Sequence, residues 1–157
     1  MLLLVGGGVG VTPVLGIMKE MYGGYEGGGR GEVPPHCITK VICVWVVPQK
    51  AEAETFKEDF AELVMNASMN PKLPKLDMRI YCTREKKGDM EAPLRTGRPN
   101  FKELMDEIGI GKKVPALVFA CGPGMMVNGL WDECNSRSKW KSKDKSRIDF
   151  HHETFEF

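Results

Sequence analysis

The chain has 157 residues, 42% hydrophobic and 27% charged, with a formal net charge of +1. That length suits one domain, and a fold of about this size buries roughly 68–70% of its unfolded surface without a metal or disulfide staple. Near-neutral charge gives no footprint for nucleic acid, and no apolar run approaches the roughly 18 residues of a membrane span.

Leu2–Val5 reads as a short strand that stops at glycines; with Met1 it is too short, and lacks the basic flank, for a signal peptide. From Thr12 to Tyr22, the residues Val14, Leu15, Ile17, Met18 and Met21 fall on one helical face, with Pro13 in the first turn. Tyr22–Pro35 is glycine-rich and reads as a surface loop. Val41–Val47 is a β-branched run apolar on both faces, as a strand inside a parallel sheet requires, and Pro48 ends it. Ala53–Met69 predicts an amphipathic helix through Phe56, Phe60, Leu63, Val64 and Ala67. Leu76–Thr83 predicts a third strand, Arg84–Arg98 a charged loop and Phe101–Ile108 a short helix. A fourth buried strand, Ala116–Cys121, and a helix, Pro123–Ser136, follow. Arg137–Arg147 reads as a basic, solvated stretch before a last strand, Ile148–His152, and an aromatic tail.

Strands alternating with helices imply right-handed crossovers. The expected fold is α/β, a three-layer Rossmann-like sheet of five parallel strands in the order 3-2-1-4-5 with helices on both faces. No repeat or second core interrupts it, so residues 1–157 read as a single domain. Its first strand opens at residue 1, from which a C-terminal fragment of a longer chain is expected. Cys37, Cys43, Cys82, Cys121 and Cys134 are odd in number and lack CxxC spacing, so plain free thiols in a reducing compartment are expected for four of the five, Cys121, at a turn, being the exception. His151 and His152 alternate across the last strand, one inward and one outward, and only His36-Cys37 could join them; no metal site is expected.

Two strand ends carry glycine turns. Gly6-Gly7-Gly8-Val9-Gly10-Val11-Thr12-Pro13 leads into a helix whose free N–H groups suit a phosphate. It fits neither GxGxxG nor the P-loop, and no acidic residue ends the second strand. Cys121-Gly122-Pro123-Gly124-Met125-Met126 is the second turn, and one extended ligand spans both if their strands are adjacent. A buried apolar role is the alternative for Cys121. Thr83-Arg84-Glu85-Lys86-Lys87 sets a hydroxyl and a guanidinium after the third strand, a combination suited to a phosphate monoester, although the lysines also fit a solvated loop. Arg98, in Gly97-Arg98-Pro99-Asn100, adds a second guanidinium just before a helix that Asn100 can cap. In the tail, Phe155 and Phe157 are either core residues or part of a site.

In this order the motifs resemble the NAD(P)-binding subdomain of the ferredoxin-NADP reductase superfamily, most nearly its ferric reductase and NADPH oxidase branch. GGxGxTP is matched by Gly6–Pro13, the CGP turn by Cys121–Pro123, GRPN by Gly97–Asn100 and FHxxxFxF by Phe150–Phe157. The resemblance implies that Gly8, Gly10 and Thr12 face the pyrophosphate and nicotinamide ribose, within a loop that includes Gly7, Val9 and Pro13. It implies that Cys121 and Gly122 lie beside the nicotinamide, with Pro123 and Met125 completing that turn. Thr83 and Arg84, helped by Arg98, would grip a 2′-phosphate, which implies NADPH. Phe155 or Phe157 would stack on the flavin, and Cys121 with that aromatic would form the catalytic group.

FAD, bound by an upstream barrel, and haem, held by membrane helices, are the further cofactors implied; those two domains of the same chain are the implied partners. The parent would be an integral membrane oxidoreductase with this domain on its cytosolic face. The stretch Arg79-Ile80-Tyr81-Cys82-Thr83 imitates the family's flavin motif but follows the glycine loop and has Cys at the hydroxyl position, so it is not read as a flavin site. The tail favours a ferric reductase and GRPN an oxidase. A soluble flavin reductase parent, a nucleotide-sensing module and a plain interaction domain are the other readings.

Overall fold

Leu2–Gly7 (β1) carries no polar side chain and is buried throughout, which puts it at the centre of a sheet. The computed structural model describes residues 1–23, 37–86, 88, 90–112, 114–138 and 147–154. After β1 come a 3₁₀ turn, Gly8–Gly10, and a helix, Val11–Tyr22 (α1). Lys40–Val47 (β2), Lys50–Ala53 (α2), Lys57–Met69 (α3) and Lys75–Cys82 (β3) follow. Leu94–Thr96 (β4), Phe101–Ile108 (α4), Ala116–Gly122 (β5), Gly124–Ser138 (α5) and Ile148–Thr154 (β6) complete the described elements.

All neighbouring strands are parallel, in the order β4-β3-β2-β1-β5-β6. The expected α/β class and the order of the five expected strands stand; the sheet has a sixth, β4, inside the segment read as a charged loop. Two long-range bonds hold it there: Ile80 N–H donates to the Pro93 carbonyl at 2.9 Å, and Gly97 N–H to the Cys82 carbonyl at 3.0 Å. Local composition carries no sign of either.

Side-chain alternation divides two cores. Leu2, Leu4, Val41, Cys43 and Trp45 pack under α1 and α3, while Leu3, Val5, Ile42 and Val44 pack under α4 and α5. The helix expected from Ala53 starts earlier, at Lys50, and is interrupted by a 3₁₀ turn at Glu54–Phe56. Phe56 and Phe60 on either side of its end both pack on Trp45, at 5.7 and 5.5 Å between ring centres. Asn100 caps α4, accepting from the Lys102 and Glu103 N–H groups, and Gly109 ends that helix at φ +81.

Two expectations need correction. Arg137 is not part of a solvated stretch: it lies in the last turn of α5 and donates to Glu133, Asp106 and the carbonyls of Ile110 and Lys102. His151 and His152 do not divide into an inward and an outward residue, because β6 is the sheet's edge and both are exposed. His151 stacks on Phe119 and His152 tilts against Phe150. The Gly-rich segment 24–36, Lys87 and the basic residues 139–146 lie outside the described residues. Among the described residues no helix is long and apolar enough to cross a membrane.

Candidate functional site

Parallel strands bring all their carboxyl ends to one rim, and chain direction across the sheet reverses between β1 and β5, where such folds form a ligand crevice. Both glycine turns stand at that point. β1 and β5 are direct neighbours, with Gly6 opposite Cys121, so the condition for one ligand to span both turns is met.

Most of the glycines there answer to packing. A Cβ on Gly10 would lie 2.1 Å from the Cys121 carbonyl oxygen, one on Gly7 2.7 Å from Pro123 Cδ, and one on Gly122 3.0 Å from Gly7 Cα. The two turns therefore interlock backbone to backbone. Gly8 differs: its φ is +54, and nothing lies within 4 Å of where its Cβ would be. Trp45 Nε1–H donates to the Gly8 carbonyl at 3.1 Å and pins this open residue to β2. Sequence reading missed Trp45, which looked like one more apolar position in a buried strand.

Behind Gly8, α1 begins with Gly10 at its N-cap, no capping side chain and no acid in its first turn. The Val11 N–H already donates to the Gly8 and Val9 carbonyls and Pro13 has no N–H, so what this turn presents outward is chiefly the positive end of the helix. Thr12 is exposed and Pro13 half-buried on that turn. Across the crevice, the Pro123 carbonyl accepts from the Met126 and Val127 N–H groups at the start of α5. Val9, 60% exposed, and Met125, 87% exposed, give each turn an uncovered apolar side chain.

Cys121 is fully buried, with Sγ 4.0 Å from Glu153 Oε2 on β6. Burial pushes its thiol pKa up and the Glu153 charge adds to the rise. Both effects disfavour the thiolate, the reactive form of a cysteine. Glu153 also escaped sequence reading, since only the edge strand's register sets it opposite Cys121.

The missed strand also explains the basic residues. Thr83 and Arg84 leave β3 with their N–H groups bonded to the Val47 and Pro48 carbonyls, both at 2.8 Å. Cys82 pairs with Thr96, so Gly97-Arg98 leaves β4 beside Thr83-Arg84. Arg84 and Arg98 are both exposed and Thr83 is half-buried. Glu85 accepts from the Lys50 N–H at 3.0 Å, which ties this corner to α2. Arg79, of the flavin-like stretch, is committed elsewhere: it bonds Asp77 and Glu107 in a charge network under α4. Phe155 and Phe157 lie outside the described residues.

A doubly wound α/β domain with two glycine turns meeting at its switch point is the class that this geometry defines. Residues 1–94 match the family model "Ferric reductase NAD binding domain", more than half of the chain, and the protein belongs to that family. It is 24% identical over 170 residues to a superoxide-generating NADPH oxidase heavy chain of Dictyostelium discoideum, covering 98% of this chain and 24% of that protein. It is 25% identical over 187 residues to a respiratory burst oxidase homolog of Solanum tuberosum, covering 98% of this chain and 21% of that protein. The chain thus spans about a quarter or less of the length of these relatives. The fold is also that of the cytochrome b5 reductase domain of Ulva prolifera nitrate reductase, with a TM-score of 0.61 at 16% identity over 95% of this chain and 48% of that one.

Proposed function

We propose that this chain is the NADPH-binding domain of a longer flavin- and haem-containing membrane reductase, presenting NADPH for hydride transfer to FAD. The observation that carries the reading is Gly8, an open, left-handed residue held between two interlocked turns and in front of the uncapped α1. A pyrophosphate fits there: a Cβ would fill that space, and the positive end of α1, with no acid in its first turn, stands behind it. Gly7, Val9, Gly10, Thr12 and Pro13 shape this half of the site. Cys121, Gly122, Pro123 and Met125 shape the nicotinamide half, with Cys121 as a neutral wall. Thr83, Arg84 and Arg98 take the 2′-phosphate, for which a guanidinium offers paired donors.

Bound NADPH supplies the hydride, and this chain's residues fix the position and exposure of the nicotinamide. Phe155 or Phe157 stacks on the flavin. The FAD-binding and haem-bearing membrane domains of the same chain are the partners, and this domain stands on the membrane's cytosolic face. FAD and haem, held by those other domains, would supply the route for electrons, with ferric iron as the acceptor, a reading supported by the family's own description. Oxygen is the second reading for the acceptor, favoured by the superoxide-generating relative.

Calorimetric titration with NADPH, NADH and 2′,5′-ADP tests the reading. NADPH and 2′,5′-ADP are expected to bind and NADH to bind more weakly. Arg84→Ala is expected to cost NADPH about 1.5–3 kcal/mol, roughly ten- to a hundredfold in affinity, the worth of hydrogen bonds to a charged group. Equal affinity for NADPH and NADH, or an Arg84→Ala protein that binds NADPH as the parent does, would refute the assignment.

A further inference from the structure

β3 is an edge strand for half its length. β4 pairs only with Ile80–Cys82, so Lys75–Arg79 have no strand on their outer side among the described residues. Lys75 N–H donates inward to the Thr39 carbonyl and Ile80 N–H donates outward to Pro93. By strand alternation the backbone N–H and C=O groups of Leu76 and Met78 therefore point outward, with no backbone partner there among the described residues.

A cavity of about 750 Å³ opens against the same residues. Its floor is Leu76, Met78 and Ile80, α3 contributes Phe60, Ala61 and Val64, and Met90–Leu94 form the far wall. Val64 is 41% exposed at its edge. On the opposite face of β3 the side chains are polar: Asp77 and Arg79 are held with Glu107.

We propose that this half-edge is a docking site for an extended segment of a partner protein, which adds to the sheet as a strand below β4. Unpaired strand edges are templates for such addition, in which main-chain bonds give affinity and pockets for alternate side chains give selectivity. The two faces of β3 dictate the segment's pattern: apolar residues toward the cavity, alternating with polar residues toward Asp77 and Arg79. Charge sets its end. Lys57 and Glu54 at the rim neutralise each other at 3.1 Å, while Lys72 and Lys75 stand exposed where β3 begins. The segment carries an acidic residue at the end that meets those lysines. A small apolar molecule would fill the cavity but leave the outward groups of Leu76 and Met78 unused.

The probe is a fluorescein-labelled seven-residue peptide that alternates valine with threonine and ends in glutamate, titrated into the chain by fluorescence anisotropy. Saturable binding is expected, with the Leu76 and Met78 amide resonances shifting on titration. Methylation of the peptide's backbone nitrogens on one edge is expected to weaken binding at least about tenfold, since it removes the main-chain donors. Ala61→Trp, which fills the cavity, is expected to abolish binding; Val64→Glu, at an exposed position, provides the same test should the tryptophan disturb folding. Absence of saturable binding overturns the proposal. So does equally tight binding of the methylated peptide, which would make the cavity a site for apolar matter without strand addition.

Discussion

Gly10→Ala measures how firmly the two turns are locked. The added Cβ would stand 2.1 Å from the Cys121 carbonyl oxygen and 2.6 Å from its carbon, where real Cβ atoms essentially never come within 3.0 Å. The turns must therefore part by about 0.9 Å, the difference between 3.0 and 2.1 Å. Both sides of the clash are backbone, so no side chain can swing away, and the cost falls near the top of the about 1–3 kcal/mol seen for overpacking. Gly10 itself has φ −62 and ψ −5, which alanine adopts freely, so an unfolded-state gain of about 0.4–1 kcal/mol offsets part of it. The net loss is about 2 kcal/mol, or roughly 4–8 °C in Tm at about 2–4 °C per kcal/mol for a domain of this size. Gly16→Ala is the control: that glycine lies in α1 with nothing within 4 Å of its Cβ, and the change is expected to add about 1 kcal/mol. Differential scanning calorimetry of the three proteins gives the answer. A Gly10→Ala protein that melts with the parent, beside a Gly16→Ala protein that melts higher, would refute the interlock.

Arg79→Leu is expected to destabilise the fold by about 2–3 kcal/mol at neutral pH, short of the 3–5 kcal/mol of a fully buried pair because Asp77 and Glu107 keep contact with water. The Arg79 hydrogen bonds hold both carboxyls below their usual range, so this contribution is present above that range and is lost as pH falls through and below it. Urea titrations at neutral pH and in acid should show the gap between parent and variant closing in acid. Iodoacetamide at mildly alkaline pH is expected to modify Cys37 alone in the native protein and all five cysteines after unfolding, read by mass spectrometry. The other four thiols are buried and shifted upward, Cys134 to about 12 through desolvation first. The same shifts make their contribution complete below the ordinary thiol pKa and lost as pH rises above it, so stability should fall in strong alkali.

How far the sequence spoke depended on whether a feature was local. The buried strands were legible because β1, β2 and β5 are apolar on both faces, and α4 because a capping asparagine precedes its periodic face. The two glycine turns were legible as motifs, but their division of labour was not. Gly8 and Gly10 look alike in sequence; one faces open space and the other a carbonyl contributed from 111 positions away. β4 is three residues held by partners elsewhere in the chain, and without it nothing in the sequence sets Gly97-Arg98 at the same rim as Thr83-Arg84. The pairing of Arg137 with Asp106 and Glu133 and the exposure of both His151 and His152 likewise follow from what packs alongside, which periodicity does not encode.

The Trp45–Gly8 hydrogen bond has a spectroscopic consequence. The indole N–H is the part of the fluorophore most sensitive to its acceptor, and here that acceptor is the carbonyl of the residue that a pyrophosphate would press against. Trp45 is only 2% exposed, so collisional quenchers such as iodide reach it poorly, whereas Trp131 at 44% is open to them. With Trp131 and Trp140 replaced by phenylalanine, Trp45 becomes an optical probe whose emission reports on the glycine turn rather than on the bulk of the fold.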